Sequence, residues 1–217
     1  MNPNCDVTAV VCTWNAAETI EECLKSLVAS NVGSIILVDA DSEDGTAQIA
    51  GKYCEKLLKD PRKGLAVARN IGIHEVKTRY VLNWGADNIL PSGSLEIMIR
   101  TLENGNYAGV SAMTKLKSPE KNYFSWALNT YKKARYYPGE RSVIGTPTLF
   151  EADLLKHHPY DPAMSHSDDG DLCDRLASIG YQFSIANCVV YETGYESIEN
   201  VVERWTRYGK SDYEIYT

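Results

Sequence analysis

Four times between Val7 and Glu103 an apolar, β-rich run gives way to an amphipathic stretch at helical spacing. That alternation constrains the fold more tightly than composition does. VTAVVCTW (Val7 to Trp14) is the continuous apolar type expected of a parallel strand covered on both faces. AAETIEECLKSLVAS follows, with Ile20, Leu24, Leu27 and Val28 at helical spacing. SIILVDADSEDGT is a second buried strand that breaks into an acidic turn, and Thr46 onward through Ile49 and Tyr53 reads as a helix. EKLLKD is a short strand, and GLAVARNIGIHEV a helix entered after Gly64. YVLNWG and the helix SLEIMIRTLEN make the fourth pair, and YAGVSAMTKL adds one more strand. The pattern predicts an α/β fold: a central, mostly parallel twisted sheet with helices on both faces and right-handed crossovers.

The regularity fails after Lys117. SPEKNYFSWALNTYKKARYYPGERSVIGTP is aromatic, basic and broken by Pro and Gly, and reads as a helix plus a long loop. DDGDLCDRLASIGY is a helix with acids in its first turn, QFSIANCVVYE a late strand, and SIENVVERWTRYGKSDYEIY a final helix. Residues 1–217 are read as a single domain, with a nucleotide-binding half over 1–116 and a lid or acceptor half over 117–217. The net charge of −7 argues against nucleic acid as a partner. No apolar run is long enough to span a bilayer. The six cysteines form no CxxC pair, so buried reduced thiols and a reducing cytoplasm are expected.

In an open parallel sheet, ligands bind beyond the carboxyl ends of the strands. Three such ends carry polar groups here: Thr13, Trp14 and Asn15 after the first, Asp39 and Asp41 after the second, Asp87 and Asn88 after the fourth. Trp14 is suited to stack on a base, and Asp39 to accept from a ring N–H or a ribose hydroxyl. Ser42 and Asp44 in DSEDGT are read as turn and cap residues. Arg69 stands in an otherwise apolar helix, where a guanidinium needs an anion. A diphosphate and a carboxylate on a neighbouring helix both answer that need. Neither GxGxxG nor GKS/GKT is present, so a nucleotide would be held by side chains and metal. Gly145, Thr146 and Pro147, before the apolar Thr148-Leu149-Phe150, are expected to wall the acceptor side.

VVCTWNAAETIEECLKSL, VDADSEDGT, KGLAVARNIGI, WGADN and DDGDLCDRLASIGY fall in the order and spacing of the family 2 glycosyltransferases, and the chain resembles that family over nearly its whole length. The resemblance is weakest between Lys117 and Ser142. It implies the GT-A fold, a Rossmann-like sheet, and inverting transfer of a sugar from a nucleotide-diphosphate donor. By position Thr13, Trp14, Asn15 and Asp39 resemble the nucleoside side of that site, and Arg69 the residue near the diphosphate. Asp87 matches the last acid of the DxD motif and would hold Mn²⁺ or Mg²⁺. Asp169 matches the acid proposed as general base; first-turn capping is the plain alternative for Asp168 and Asp171. The DxD position reads Gly85-Ala86-Asp87, without its first acid, and a late His of many relatives is Glu192 here, an oxygen ligand in its own right. Hard cations that bridge two phosphates need only one or two protein carboxylates.

The acceptor implied is a hydroxyl of a saccharide or protein, or a lipid phosphate. In some relatives hydrophobic segments follow at this point, which would place this chain at the cytoplasmic face of a membrane. The alternative reading is a non-catalytic nucleotide- or sugar-binding relative, favoured by the incomplete DxD.

Overall fold

A computed structural model describes residues 3–164 and 167–193, together with Ile198, Val202 and Thr206. The final helix expected over 197–216 falls largely outside the described residues. The chain runs β1 (Val7–Thr13), α1 (Ile20–Ala29), β2 (Ser34–Asp39), α2 (Thr46–Ala50), β3 (Lys56–Lys59), α3 (Leu65–His74), β4 (Tyr80–Gly85), β5 (Asn88–Ile89) and α4 (Ser94–Gly105). It continues through β6 (Gly109–Leu116), α5 (Tyr123–Arg135), β7 (Gly139–Arg141), β8 (Thr148–Glu151), α6 (Ala152–His157), α7 (Asp168–Ser178) and β9 (Phe183–Glu192).

The strands form one sheet in the order β3-β2-β1-β4-β8-β6-β9-β5, with β7 also on β9. The expected parallel arrangement holds across β3, β2, β1 and β4, and again between β6 and β9. β8 runs antiparallel to both β4 and β6 and joins the two parallel blocks. Its Leu149 and Phe150 are core residues, so the apolar run after Gly145-Thr146-Pro147 is a central strand of the sheet. A four-residue strand directly after a proline is too short to show a period in sequence. The second half of the chain therefore supplies strands to the interior of the sheet begun by the first.

Side-chain alternation along the strands builds a core on each face. Val7, Ala9 and Val11 of β1 meet Ile20, Leu24 and Leu27 of α1 and Leu95, Met98 and Leu102 of α4. Val10, Ile36 and Val81 face the other way, with Ala66 and Ile73 of α3, Leu155 of α6 and Leu172 and Leu176 of α7. Truncating a fully buried leucine such as Leu24 should cost roughly 2–5 kcal/mol.

One glycine sets the seat of α3. A Cβ at Gly72 would lie 2.4 Å from Val10 Cγ1 and 3.1 Å from Val38 Cγ2, so the helix lies directly on β1 and β2 only because that atom is missing. Arg69, one turn earlier, shares this inward face and is buried with it. In register, Thr13 stands opposite Asp39 and Cys12 opposite Gly85, which brings three strand ends to one level at the carboxyl edge. Among the described residues no helix is long and apolar enough to cross a membrane. All six cysteines are free, but only Cys23, Cys173 and Cys188 are buried as expected; Cys12 and Cys54 are half-buried and Cys5 is exposed, and burial pushes the Cys173 and Cys188 thiols up to about 12.

Candidate active site

The loops after β1 and β2 are stitched into one shelf. Asn15 N donates to Ser42 Oγ at 2.9 Å, and Glu43 N donates back to Asn15 Oδ1 at 3.0 Å. Ala16 N donates to Thr46 Oγ1 at 2.8 Å and Ala17 N to Asp44 Oδ2 at 2.9 Å. Asp39 holds the second loop by accepting from Ser42 N at 2.9 Å and Ser42 Oγ at 2.6 Å. Asn15 makes this turn at a φ of 47°, a left-handed conformation that asparagine tolerates better than most residues. Asn15 and Asp39 thus have structural partners within the shelf; Ser42 and Asp44 are turn residues that bond within and between the two loops, while Gly45 holds the cap position of α2. Hydrogen bonding from Thr46 and Ala17 holds the Asp44 carboxyl below its usual value.

Two groups on the shelf face outward or lack a partner. The Trp14 side chain is 62% exposed, a bare aromatic surface at the edge of the sheet. Thr13 Oγ1 is buried with no hydrogen-bond partner among the described residues. Arg62, which the sequence did not single out, donates to the carbonyls of Ala40 at 2.7 Å and Asp41 at 2.8 Å and braces the loop from outside.

Asp87 lies in the turn from β4 to β5. Gly85 permits this turn: a Cβ there would sit 2.6 Å from Asn88 Oδ1 and 2.8 Å from Asp87 Oδ1. The missing side chain makes room for both oxygens; Asn88 Oδ1 accepts from Gly85 N at 3.0 Å and closes the turn, and the Asp87 carboxylate is the hard oxygen type that Mg²⁺ and Mn²⁺ favour. The turn is anchored from β9, as Thr193 N and Oγ1 donate to Asp87 O at 2.9 and 3.1 Å. Glu192, opposite Asn88, is 2.7 Å from Lys132 Nζ in a buried ion pair and is therefore already committed to a cation. No cluster of three or more His, Cys, Asp or Glu groups forms among the described residues. The residues fit a cation carried mainly by its phosphate ligands, with Asp87 as the protein carboxylate.

The densest polar cluster lies where α3 meets α7. Arg69 Nη1 is 2.6 Å from Asp168 Oδ2 and 2.9 Å from Asp169 Oδ1, and Nη2 donates to Thr146 Oγ1 at 2.5 Å. The carboxylate, of the two anions the sequence left open, is what Arg69 meets here. Asp168, for which first-turn capping was the plain alternative, is buried and paired with Arg69. Asp171 pairs with Arg175 at 2.8 Å along the same helix.

Tyr160 completes the cluster. Its ring lies under the guanidinium at 4.9 Å, and its hydroxyl is 3.0 Å from Asn83 Nδ2 on β4 and 3.3 Å from Asp169 Oδ1. Asn70 fixes the Tyr160 backbone at both its N–H (3.0 Å) and its C=O (2.8 Å). Sequence reading missed Tyr160 because its partners come from α3, β4 and α7, and its own prolines signal only a loop.

Burial pushes the Asp168 carboxyl up against the pull of Arg69, and the Asp169 charge adds to the push. Burial alone would lower Arg69, but Asp169, Tyr160 and Asp168 more than offset it, and the guanidinium stays charged. Burial drives the Tyr160 phenol well above its usual value, so it remains a neutral donor. Of the two acids, Asp169 reaches solvent: its side chain is 22% exposed, against 5% for Asp168.

Residues 8–158 match the family model described as Glycosyl transferase family 2. The chain is 31% identical over 107 residues to a protein named Cholesterol galactosyltransferase from Borreliella burgdorferi, covering 46% of this chain and 30% of that one. It is 29% identical over 112 residues to Uncharacterized glycosyltransferase YibD of Escherichia coli, covering 48% and 33%. The chain thus spans about a third of the length of these relatives. Among solved structures it is similar to S. aureus TarS 1-349 in complex with UDP-GlcNAc, with a TM-score of 0.66 at 17% identity over 88% of this chain and 59% of that one. It is also similar to GalNAc-T7 with UDP, GalNAc and Mn2+, at a TM-score of 0.67 and 13% identity over 86% and 43%. At these identities the structural likeness speaks for the fold, the GT-A glycosyltransferase type.

Proposed function

The chain belongs to glycosyl transferase family 2, and on that footing we propose that it transfers a sugar from a nucleoside-diphosphate sugar to an acceptor hydroxyl or lipid phosphate with inversion at the sugar carbon. The observation that carries this reading is that two acids are both tied to β4, each in a different way. Asp87 sits in the turn that Gly85 permits after β4, and Asp169 is the solvent-reaching member of the Arg69 cluster, tied to β4 through Tyr160 and Asn83.

In this reading the nucleoside lies along the stitched shelf, with Trp14 stacking on the base and Thr13 and Asp39 beside the ribose or ring N–H groups. The orphaned Thr13 hydroxyl supports that placement, since a ligand group would satisfy it. Mg²⁺ or Mn²⁺ held by Asp87 would supply positive charge to the diphosphate as it leaves. Asp169 accepts the proton of the attacking acceptor, and Arg69, Thr146 N–H and the Tyr160 hydroxyl hold its carboxylate in one orientation. Arg69 is in this scheme a positioning residue and not a direct diphosphate clamp.

A thermal-shift screen of nucleoside diphosphates and their sugars, with and without Mn²⁺, tests the donor side. Stabilisation by one nucleotide series, enhanced by the metal, is the expected result. A donor-hydrolysis assay without acceptor then separates a transferase from a relative that only binds. No shift with any nucleotide would remove the proposal.

A further inference from the structure

The helix α5 is built inside out. Its inward face carries Ser125, Asn129 and Lys132, all buried: Asn129 Oδ1 accepts from Leu116 N at 3.1 Å, and Lys132 meets Glu192 at 2.7 Å. Its outward face carries Tyr123, Phe124 and Trp126, which are 72%, 43% and 56% exposed. These rings gather into a patch, with Tyr123 5.9 Å from Phe124 and 5.8 Å from Trp126. At 100° per residue the centre of the exposed face runs through Tyr123, Thr130 and Ala134, with Trp126 on one side and Phe124 and Tyr131 on the other. Lys133 then borders the Trp126 side and Arg135 the Tyr131 side.

Charge identifies what such a face would meet. α5 contains no acidic residue. Lys117 to Val143 holds six basic and two acidic residues, and with Lys117 paired to Glu22 and Lys132 to Glu192 a local net of +2 remains in a chain of net −7. A patch of exposed rings at the start of a helix, with cations along both borders of the same face, fits a helix lying in the plane of a lipid headgroup layer, its rings at the acyl boundary and its Lys and Arg reaching the phosphates. A second copy packed helix to helix would set the same cations against one another.

We infer that the outward face of α5 docks on an anionic lipid surface. The inference does not depend on the sugar-transfer reading. The buried Lys132–Glu192 pair ties the docked helix to β9 and so to the turn that carries Asp87.

Co-sedimentation of the 217-residue chain with phosphatidylcholine vesicles, with and without phosphatidylglycerol, tests it. Binding is expected only with the anionic lipid, falling as salt rises. Lys133→Ser and Arg135→Ser should each weaken it about fivefold. Trp126→Ser should weaken it too while leaving the urea midpoint unchanged, because the side chain is exposed. Absence of binding at low salt, equal binding to both vesicle types, or binding untouched by all three changes would each overturn the inference. So would a dimer on gel filtration that Trp126→Ser dissolves, because another copy of the chain would then cover the face.

Discussion

Arg69 Nη1 stands 2.6 Å from Asp168 Oδ2, a buried ion pair that bridges 99 residues of sequence and pins α3 to α7. With Asp169 on the same nitrogen the cluster holds one cation and two anions, an excess of one negative charge in a largely buried place. That imbalance makes the three residues respond differently to substitution.

Arg69→Ala leaves two neighbouring carboxylates with no cation. Breaking a buried pair in this way typically destabilises by ~3–5 kcal/mol. Urea denaturation should show a large fall in midpoint with an unchanged slope, and Arg69→Lys should recover only part of it because lysine lacks the planar fork. A midpoint within error of the parent would mean that the pair contributes nothing to the fold.

Asp168→Asn should behave in the opposite sense. It leaves a neutral Arg69–Asp169 pair, so the loss of stability at neutral pH should be small or absent. Burial raises the folded-state Asp168 carboxyl above its unfolded value. The stability tied to its protonated form is therefore full below the unfolded value and is lost as pH rises through the folded one. Asparagine does not titrate, so the variant should gain on the parent as pH increases across that window and then level off. Urea midpoints of both proteins from acid to neutral pH check the sign. A parent that gains on the variant with rising pH would contradict it.

Asp169→Asn should separate binding from chemistry. The change is nearly isosteric, so donor affinity should hold while turnover falls about 10²-fold or more. Donor Kd and kcat measured on this variant and on Asp168→Asn identify the base. An active Asp169→Asn with an inactive Asp168→Asn would exchange their roles.

Asp87→Asn should remove the metal-linked part of donor binding, a loss of about tenfold or more with Mn²⁺ present and little change without it. Calorimetry of donor binding with and without Mn²⁺ measures both. Undiminished metal linkage would point to a different ligand, and the Lys132 partnership makes Glu192 a poor substitute.

The parallel strands and their helices were legible in the sequence because each is long enough to show its period; Asp87 stood out as the acid at a strand end, and Asp169 only through the family resemblance. The partner of Arg69 was legible only as a choice between a phosphate and a carboxylate. Asp168 looked like a helix cap because a first-turn acid has that role locally, and nothing local reveals an arginine 99 residues away. Tyr160 and Thr146 acquire their places only through tertiary contacts. In α5 the pattern is inverted, with polar residues inside, so hydrophobic periodicity gives the wrong face.

β8 has a consequence for how the polypeptide must be made. It is the strand that connects β4 to β6, and it is synthesised after both. Until residue 151 leaves the ribosome, β4 and β6, joined only through α4, each present a row of open backbone donors and acceptors. A nascent chain halted before that point is a pair of sticky edges, and a fragment cut after Leu116 should aggregate where the longer chain stays in solution.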